Sequence, residues 1–430
     1  MLRILAARRV YVHCTMGAWQ SKATTSPPAG WSNIPAELLD LVLRRLPSLA
    51  DRLRFAAVCR HWLRVATRYS APHLPRALPW LNFHDGSFRS LPDGELHSLP
   101  HAVCVGSFGC WLLFEEERPG RRRSSPSRRH FLMNPLRRRT ILWLCGHCRE
   151  PVDLIDDDPA AAYGAALPSS GSRSADFVIG KVIVCSADLV IATVNYRRSS
   201  SDVVVCCRPG LSSSWSTGIC HGVLYHDMAF YKGKVYTVAW DGELFAHEIT
   251  KESDTGEPRV ARVERLIQGP PTPTQDDGSL VATLAGIITC FLVISATSDK
   301  LLMVRWIIPY DYYTSKDSTG HMTLRVFEAD FETSQWLEVK SLADQVLFVS
   351  SNSSRAISVS APGSQAGHYL QGNKIYFVDH NDWYWRLWRP SRPRNCGVYD
   401  MSNHTIESIS LGETHIINHQ VEASWFFPHG

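Results

Sequence analysis

The sequence predicts an α+β multidomain chain: a small all-α module of three helices, followed by a large all-β domain of propeller type. Three observations predict it. Residues 31–70 carry apolar side chains at helical spacing, punctuated by prolines. From about residue 100 the pattern changes to short runs of Val, Ile, Tyr, Phe and Trp separated by Gly, Asp, Asn and Ser. Similar hairpins then recur along that stretch, as they do in repeat-built β domains. The length of 430 residues exceeds what one hydrophobic core usually covers, which agrees with more than one domain or a large repeat-built one.

The helical module is read in order. Asn33 is placed to cap a first helix with Pro35 in its first turn, and Pro47 stops it. Ser48 restarts a second helix over about Ala50 to Val58, and a third runs from about His61 to Arg68. The first helix is apolar on more than one face: Leu38, Val42 and Leu46 lie on one stripe, Leu39 and Leu43 beside it, and Leu41 outside both. A short amphipathic helix needs only one such stripe. Surplus apolar surface on so small a module has two explanations: it meets a partner, or it packs against the chain's own C-terminal domain.

In the β region, Phe177 to Val184, Leu189 to Val194, Val203 to Cys207, Leu301 to Ile308 and Val346 to Val349 read as strands. The segment from Gly233 through Tyr236 to Leu244 resembles that from Gly372 through Tyr376 to Asn381: a turn glycine, a strand with a central Tyr, a polar turn. Second strands follow at Glu243 to Ile249 and at Cys396 to Met401, and Leu324 to Phe331 with Glu332 to Val339 is a related hairpin. The two glycines are 139 residues apart, which fits three repeats of about 46 residues, near propeller blade lengths. A β-sandwich of this size would be unusually large, which favours a propeller.

Composition narrows the function classes. Apolar residues are 44% and charged residues 20% of the chain, too rich in core-formers for disorder. The net charge of +4 is local: Glu115 to Arg139 holds nine Arg and three Glu, while the rest has 36 basic and 38 acidic residues. That distribution makes no case for nucleic-acid binding. Twelve Cys are too sparse for a disulfide scaffold, and Cys104, Cys185, Cys206 and Cys290 sit in apolar runs, so a reducing compartment, cytoplasm or nucleus, is expected. The sequons at Asn352 and Asn403 are then chance matches. The acid-poor first 30 residues read as a disordered basic tail or an organelle presequence. Gly278 to Ser298 has no charge over 21 residues, yet its Thr, Ser and Gly content points to two buried strands around a turn near Gly286, not to a membrane span.

Cys145-Gly-His-Cys148 has a dithiol spacing, but no helix follows it to lower a thiol pKa, and the adjacent Cys206 and Cys207 cannot complete a zinc site. Asp241 and Asp379 stand where turns use Asp to cap backbone amides. No catalytic, cofactor-binding or metal-ligating residue is assigned. The basic run Arg121–Arg123, Arg128-Arg129 and Arg137–Arg139 reads as a solvated loop, a nuclear-import patch or a contact for acidic substrate.

Two resemblances add to this. The run Ile34-Pro35, Leu38-Leu39, Leu43, Leu46-Pro47, Leu53, Val58-Cys59-Arg60 and Trp62 is similar to an F-box, in order and dense over about 40 residues, with Ile34 in place of the usual Leu. The segments at Asn134-Pro-Leu, Asp227 to Tyr236, Val326 to Phe331, Trp336 to Val339, Leu347 to Arg355 and Gly372 to Asp379 resemble the F-box-associated β-propeller domain of unknown function, a grass-expanded plant family. Composition and the resemblances, the second of which covers most of residues 100 to 412, together divide the chain into a disordered basic tail over 1–30, an F-box over 31–70, a linker over 71–100 and a substrate-binding propeller over 101–430. The first resemblance implies docking on a Skp-type adaptor, and through it a cullin, by Ile34, Pro35, Leu38, Leu39, Leu43, Leu46, Pro47, Val58, Cys59 and Trp62. The chain would then be a non-catalytic substrate receptor of a ubiquitin ligase with a protein target, no cofactor, and no nucleic-acid or membrane partner. The alternative is a propeller that binds partners outside any ligase, its helices packed intramolecularly.

Overall fold

The computed structural model describes residues 30–46, 49–69, 78–83, 87–91, 94–98, 103–118, 127–134, 139–144, 177–196, 201–209, 215–216, 222–271, 286–309, 322–360, 369–378, 396–409 and 423–428. The N-terminal tail, Pro47, Arg121–Arg123, Cys145–Cys148 and Asp379 lie outside these, as do Arg137 and Arg138.

Three helices form as expected: α1 (Ala36–Arg45), α2 (Leu49–Ala57) and α3 (Arg60–Arg64), the last passing into a wider turn over Val65–Tyr69. The start of α1 differs from expectation. Asn33 ends a short 3-10 turn, Trp31–Asn33, and Pro35 itself is the residue before the helix. A proline there loses nothing, because the amide it lacks has no intrahelical partner. Its carbonyl accepts from the amides of Leu38 and Leu39 at 3.1 and 3.2 Å.

Among the described residues the all-β part comprises six sheets. The first holds β1 (Trp80–Asn82), β2 (Ser87–Ser90) and β3 (Leu96–Ser98), so part of the stretch expected as a linker is folded sheet. These strands are too short to show an alternation, and their partner lies at the far end of the sequence. The second sheet is β4 (Val103–Phe108), β5 (Trp111–Arg118), β6 (Ser127–Asn134) and β7 (Arg139–Leu144). Arg128 and Arg129 therefore belong to a strand, not to the loop in which the basic run was placed. The third is β8 (Phe177–Ser186), β9 (Leu189–Tyr196) and β10 (Asp202–Cys207). The fourth is β11 (Tyr225–Tyr231), β12 (Lys234–Ala239), β13 (Leu244–Lys251) and β14 (Pro258–Ile267).

The fifth is β15 (Gly286–Ile294), β16 (Leu301–Pro309), β17 (Thr323–Asp330) and β18 (Gln335–Val339). Gly286 opens β15 rather than turning the chain. It pairs with Pro309, and the hairpin reverses after Ile294, where Ser295 to Ser298 bond one another. The uncharged stretch is thus half of a buried hairpin from residue 286 onward. Among the described residues no helix is long and apolar enough to cross a membrane. The sixth sheet contains β19 (Gln345–Val349), β20 (Arg355–Ser358), β21 (Lys374–Val378), β22 (Cys396–Asp400) and β23 (Thr405–Ser408), in the order β20-β19-β21-β22-β23 with β19 and β21 parallel. Last, β24 (Ser424–Phe426) returns to pair antiparallel with β1, Leu81 opposite Trp425.

Gly233 and Gly372 lie in the fourth and sixth sheets, so their spacing covers two repeats, not three. Each repeat is longer than expected; β21 and β22 alone are separated by 17 residues in sequence.

Two compact units divide the chain: residues 1–115, 133–139 and 341–430 in one, 116–132 and 140–340 in the other. In the first, the inner faces of the first and sixth sheets share a core of Leu81, Phe83, Val346, Phe348, Val378, Trp425 and Phe427. In the second, Leu244, Ile267, Leu292, Leu301, Met303 and Phe327 join the fourth and fifth sheets, and Ile191, Val204, Cys206, Met228 and Val235 join the third and fourth. Polar staples accompany that packing. Asp227, fully buried on β11, accepts from Lys181 Nζ of β8 at 2.5 Å, from the Met228 amide at 2.7 Å and from the Leu292 amide of β15 at 2.7 Å.

Candidate functional site: the exposed face of the helical module

The module closes a core of its own. Leu39, Leu43, Phe55 and Val65 are buried together, and Ile34, Ala36, Leu46, Trp62 and Ala66 pack against them; among the described residues its members all come from 34–66. Hydrogen bonds fix the connections: Arg52 Nε donates to the Leu46 carbonyl at 2.7 Å, a His61 ring nitrogen to the Ile34 carbonyl at 2.9 Å, and Trp62 Nε1 to the Trp31 carbonyl at 3.1 Å. The Phe55 and Trp62 rings stand 4.5 Å apart. Burial lowers the Arg52 pKa to about 10, still fully cationic at neutral pH beside the C-terminal end of α1.

With Leu39 and Leu43 turned inward, the other apolar side of α1 has nothing to cover it within the module. Leu38 and Leu41 are each 54% exposed and Val42 48%. Their i, i+3, i+4 spacing makes them neighbours on one face. Val58, Leu63 and Trp31 are exposed as well. Covering a side chain such as Leu38 removes roughly half its apolar area from water, about 1 kcal/mol in favour of a complex. Polar groups frame the face: Arg44 Nε meets Asp40 Oδ2 at 2.7 Å, and Glu37 stands in the first turn.

The expected adaptor residues therefore divide. Leu38, Pro35 and Val58 are exposed; Ile34, Leu46, Cys59 and Trp62 are half-buried; Leu39 and Leu43 are sealed in the module's core, so they hold the face in shape without reaching its surface. Leu41 and Val42 were missing from the expected set. Counting three and four residues on from Leu38 finds both.

Elsewhere the chemistry is quiet. Asp241 Oδ1 accepts from the Glu243 amide at 3.0 Å, capping a turn as expected. Cys104, Cys206, Cys207, Cys290 and Cys396 are buried thiols outside any disulfide, and Cys185 is half-buried. Burial pushes the thiols up, Cys206 to about 11 and Cys185, Cys290 and Cys396 to about 12, which leaves them protonated and poor nucleophiles at neutral pH. Among the described residues no three His, Cys, Asp or Glu side chains gather where they could hold a metal ion.

Comparison with known proteins agrees with this division. An F-box-like family model matches residues 31–70, and a KIB1-4 β-propeller model matches residues 81–400. The F-box protein SKIP23 of Arabidopsis thaliana is 36% identical over 97 residues, 20% of this chain and 23% of the relative, so the match spans less than a quarter of that protein. The Arabidopsis F-box protein At2g26160 is 20% identical over 366 residues, 81% of this chain and 96% of the relative. A solved bifunctional GH43-CE protein of Bacteroides eggerthii aligns with a TM-score of 0.28 and 12% identity, covering 68% of this chain and 30% of that one. The fold class expected from the sequence holds: a short helical F-box region, then an all-β region of propeller type, with six sheets among the described residues.

Proposed function

The chain belongs to the KIB1-4 β-propeller family, and from that premise we propose that it is the substrate-recognition subunit of a Skp–cullin–F-box ubiquitin ligase. The exposed face of α1 docks a Skp-type adaptor, which brings the cullin. The propeller binds a target protein and holds it near the ubiquitin-charged enzyme, in the cytoplasm or nucleus. The contribution is proximity: tethering raises the effective concentration of the target's lysines, and no acid–base residue is needed in this chain.

One observation carries the reading. Leu38, Leu41 and Val42 stay exposed on a module whose core is already complete from residues 34–66. The alternative, a non-ligase propeller with the helices packed intramolecularly, needs those side chains covered by the β domain, whereas they are exposed, which favours the receptor reading.

The test is capture of a purified Skp-type adaptor by the full chain. Leu38→Asp combined with Val42→Asp puts charge on the face and lowers capture about tenfold or more, because each buried carboxylate would lack a partner. Both positions are exposed, so the module stays helical. Leu39→Asp abolishes capture by a different route, unfolding the module, and circular dichroism separates the two. Undiminished capture by the Leu38/Val42 variant overturns the docking claim.

A further inference from the structure

A polar tie runs from the helical module to the first sheet. Arg54, on α2, directs Nη1 to Asp51 Oδ1 at 2.9 Å and Nη2 to Glu95 Oε2 at 2.9 Å. Both ends stand on anchored backbone. Beside Arg54, Phe55 is buried in the module's core against Trp62, which seats α2. Glu95 immediately precedes β3, and its carbonyl accepts from the amide and the hydroxyl of Ser90 at 3.0 and 3.3 Å. Gly94, at φ 68°, donates to the Ser90 carbonyl at 3.0 Å, a turn in a backbone conformation that glycine adopts without strain.

Among the described residues, the module's core holds side chains of residues 34–66 alone, and the Arg54–Glu95 contact between module and first sheet is a polar one. We propose that Arg54 and Glu95 form an orientation latch, two positioning residues that hold the docking face of α1 at a set angle to the first sheet. The latch itself stands on the geometry above. Its consequence rests on the receptor reading, since that angle decides where a bound target is presented.

Arg54 is 56% and Glu95 47% exposed. Such a pair adds little against unfolding, but an orientational equilibrium between two folded bodies needs little bias. An exposed pair shifts it up to about fivefold, and salt screens the shift.

The experiment uses the full chain, spin-labelled through ketone-bearing residues placed at Arg45 on α1 and Asn403 on the turn after β22; both positions are exposed, and the native thiols are left alone. Electron–electron resonance then reads the distance distribution. At low salt the unaltered chain gives one narrow peak. Glu95→Arg sets two guanidinium groups against each other and broadens it about twofold or more. Adding Arg54→Glu restores one cation between two carboxylates, as in the native set, and narrows the peak again. About 0.5 M salt broadens the native peak. A Glu95→Arg distribution as narrow as the native one overturns the latch, and so does a double variant as broad as the single. Adaptor capture, scored in the same proteins, keeps the two claims apart. Failure of the latch leaves capture intact, whereas failure of the docking reading shows as no capture by the unaltered chain.

Discussion

Asp227 is a carboxylate with no access to water that serves three sheets at once. Burial pushes its pKa up, against the pull of Lys181 and of the amides of Leu292 and Met228. Removing the carboxylate strands the Lys181 ammonium, whose side chain is only 10% exposed. Asp227→Ala is therefore expected to lower stability by about 3–5 kcal/mol, read as a lower urea midpoint of tryptophan fluorescence. Adding Lys181→Met recovers part of the loss, because the ammonium is gone while two amides stay unpaired. A single-variant change under about 1 kcal/mol would contradict the hub. The sequence marked Asp227 only as the start of a segment resembling a propeller family, with no sign of its partners. Lys181 and Asp227 are 46 positions apart, in runs that read only as strands. A bulge between Tyr225 and Asp227 also breaks the alternation from which a buried position would be read. Leu38 and Leu39 lie at the other extreme: their types and spacing were visible, but which one faced inward depended on how α2 and α3 closed over α1.

Among elements, the hairpins were the most legible because their turn chemistry is local. Lys232 and Gly233 both take positive φ, 47° and 79°, and Tyr231 pairs with Lys234, the two-residue turn that the strands on either side demand. Gly372 resembled Gly233 in sequence but has another reason to be glycine. A Cβ there would meet the Ala343 carbonyl oxygen at 2.5 Å, while the neighbouring Asn373 supplies the positive φ of 63°. Gly372→Ala is accordingly expected to destabilise the sixth sheet by about 1–3 kcal/mol, since the obstacle is backbone and cannot swing away. The check is faster amide exchange along β21 and a lower melting temperature, and an unchanged melting temperature would refute the close approach. The parallel β19–β21 pair had no local signature, because it requires the chain to leave through β20 and return. Repeat length misled for a related reason: connections inflate the spacing between similar hairpins without altering the hairpins themselves.

For the whole molecule, the decisive pairing is the least local. β24 supplies Trp425, 1% exposed, whose Nε1 donates to the Val349 carbonyl at 3.1 Å and whose ring meets Phe348 edge-on at 5.1 Å. Next to it, the Ser424 and Ser107 hydroxyls bond at 2.7 Å. Deleting Ala423–Gly430 strips one edge of β1 and uncovers the core shared by the first and sixth sheets, a loss for Trp425 alone of about 3–5 kcal/mol. The expected result is rapid tryptic cleavage of residues 341–422, and resistance equal to the intact chain would show that the strand is dispensable. Reading forward, the sequence could place a β domain and a helical module, yet it set the start of that domain near residue 101 because β1 has no visible mate until β24. The same separation governs synthesis. The 341 residues 83–423 lie between the two strands, and at translation speeds of roughly 5–20 residues per second β1 emerges from the ribosome some 20–70 s before its partner exists. For that interval one edge of β1 stands unpaired in the nascent chain, open to pairing with any other strand edge it meets.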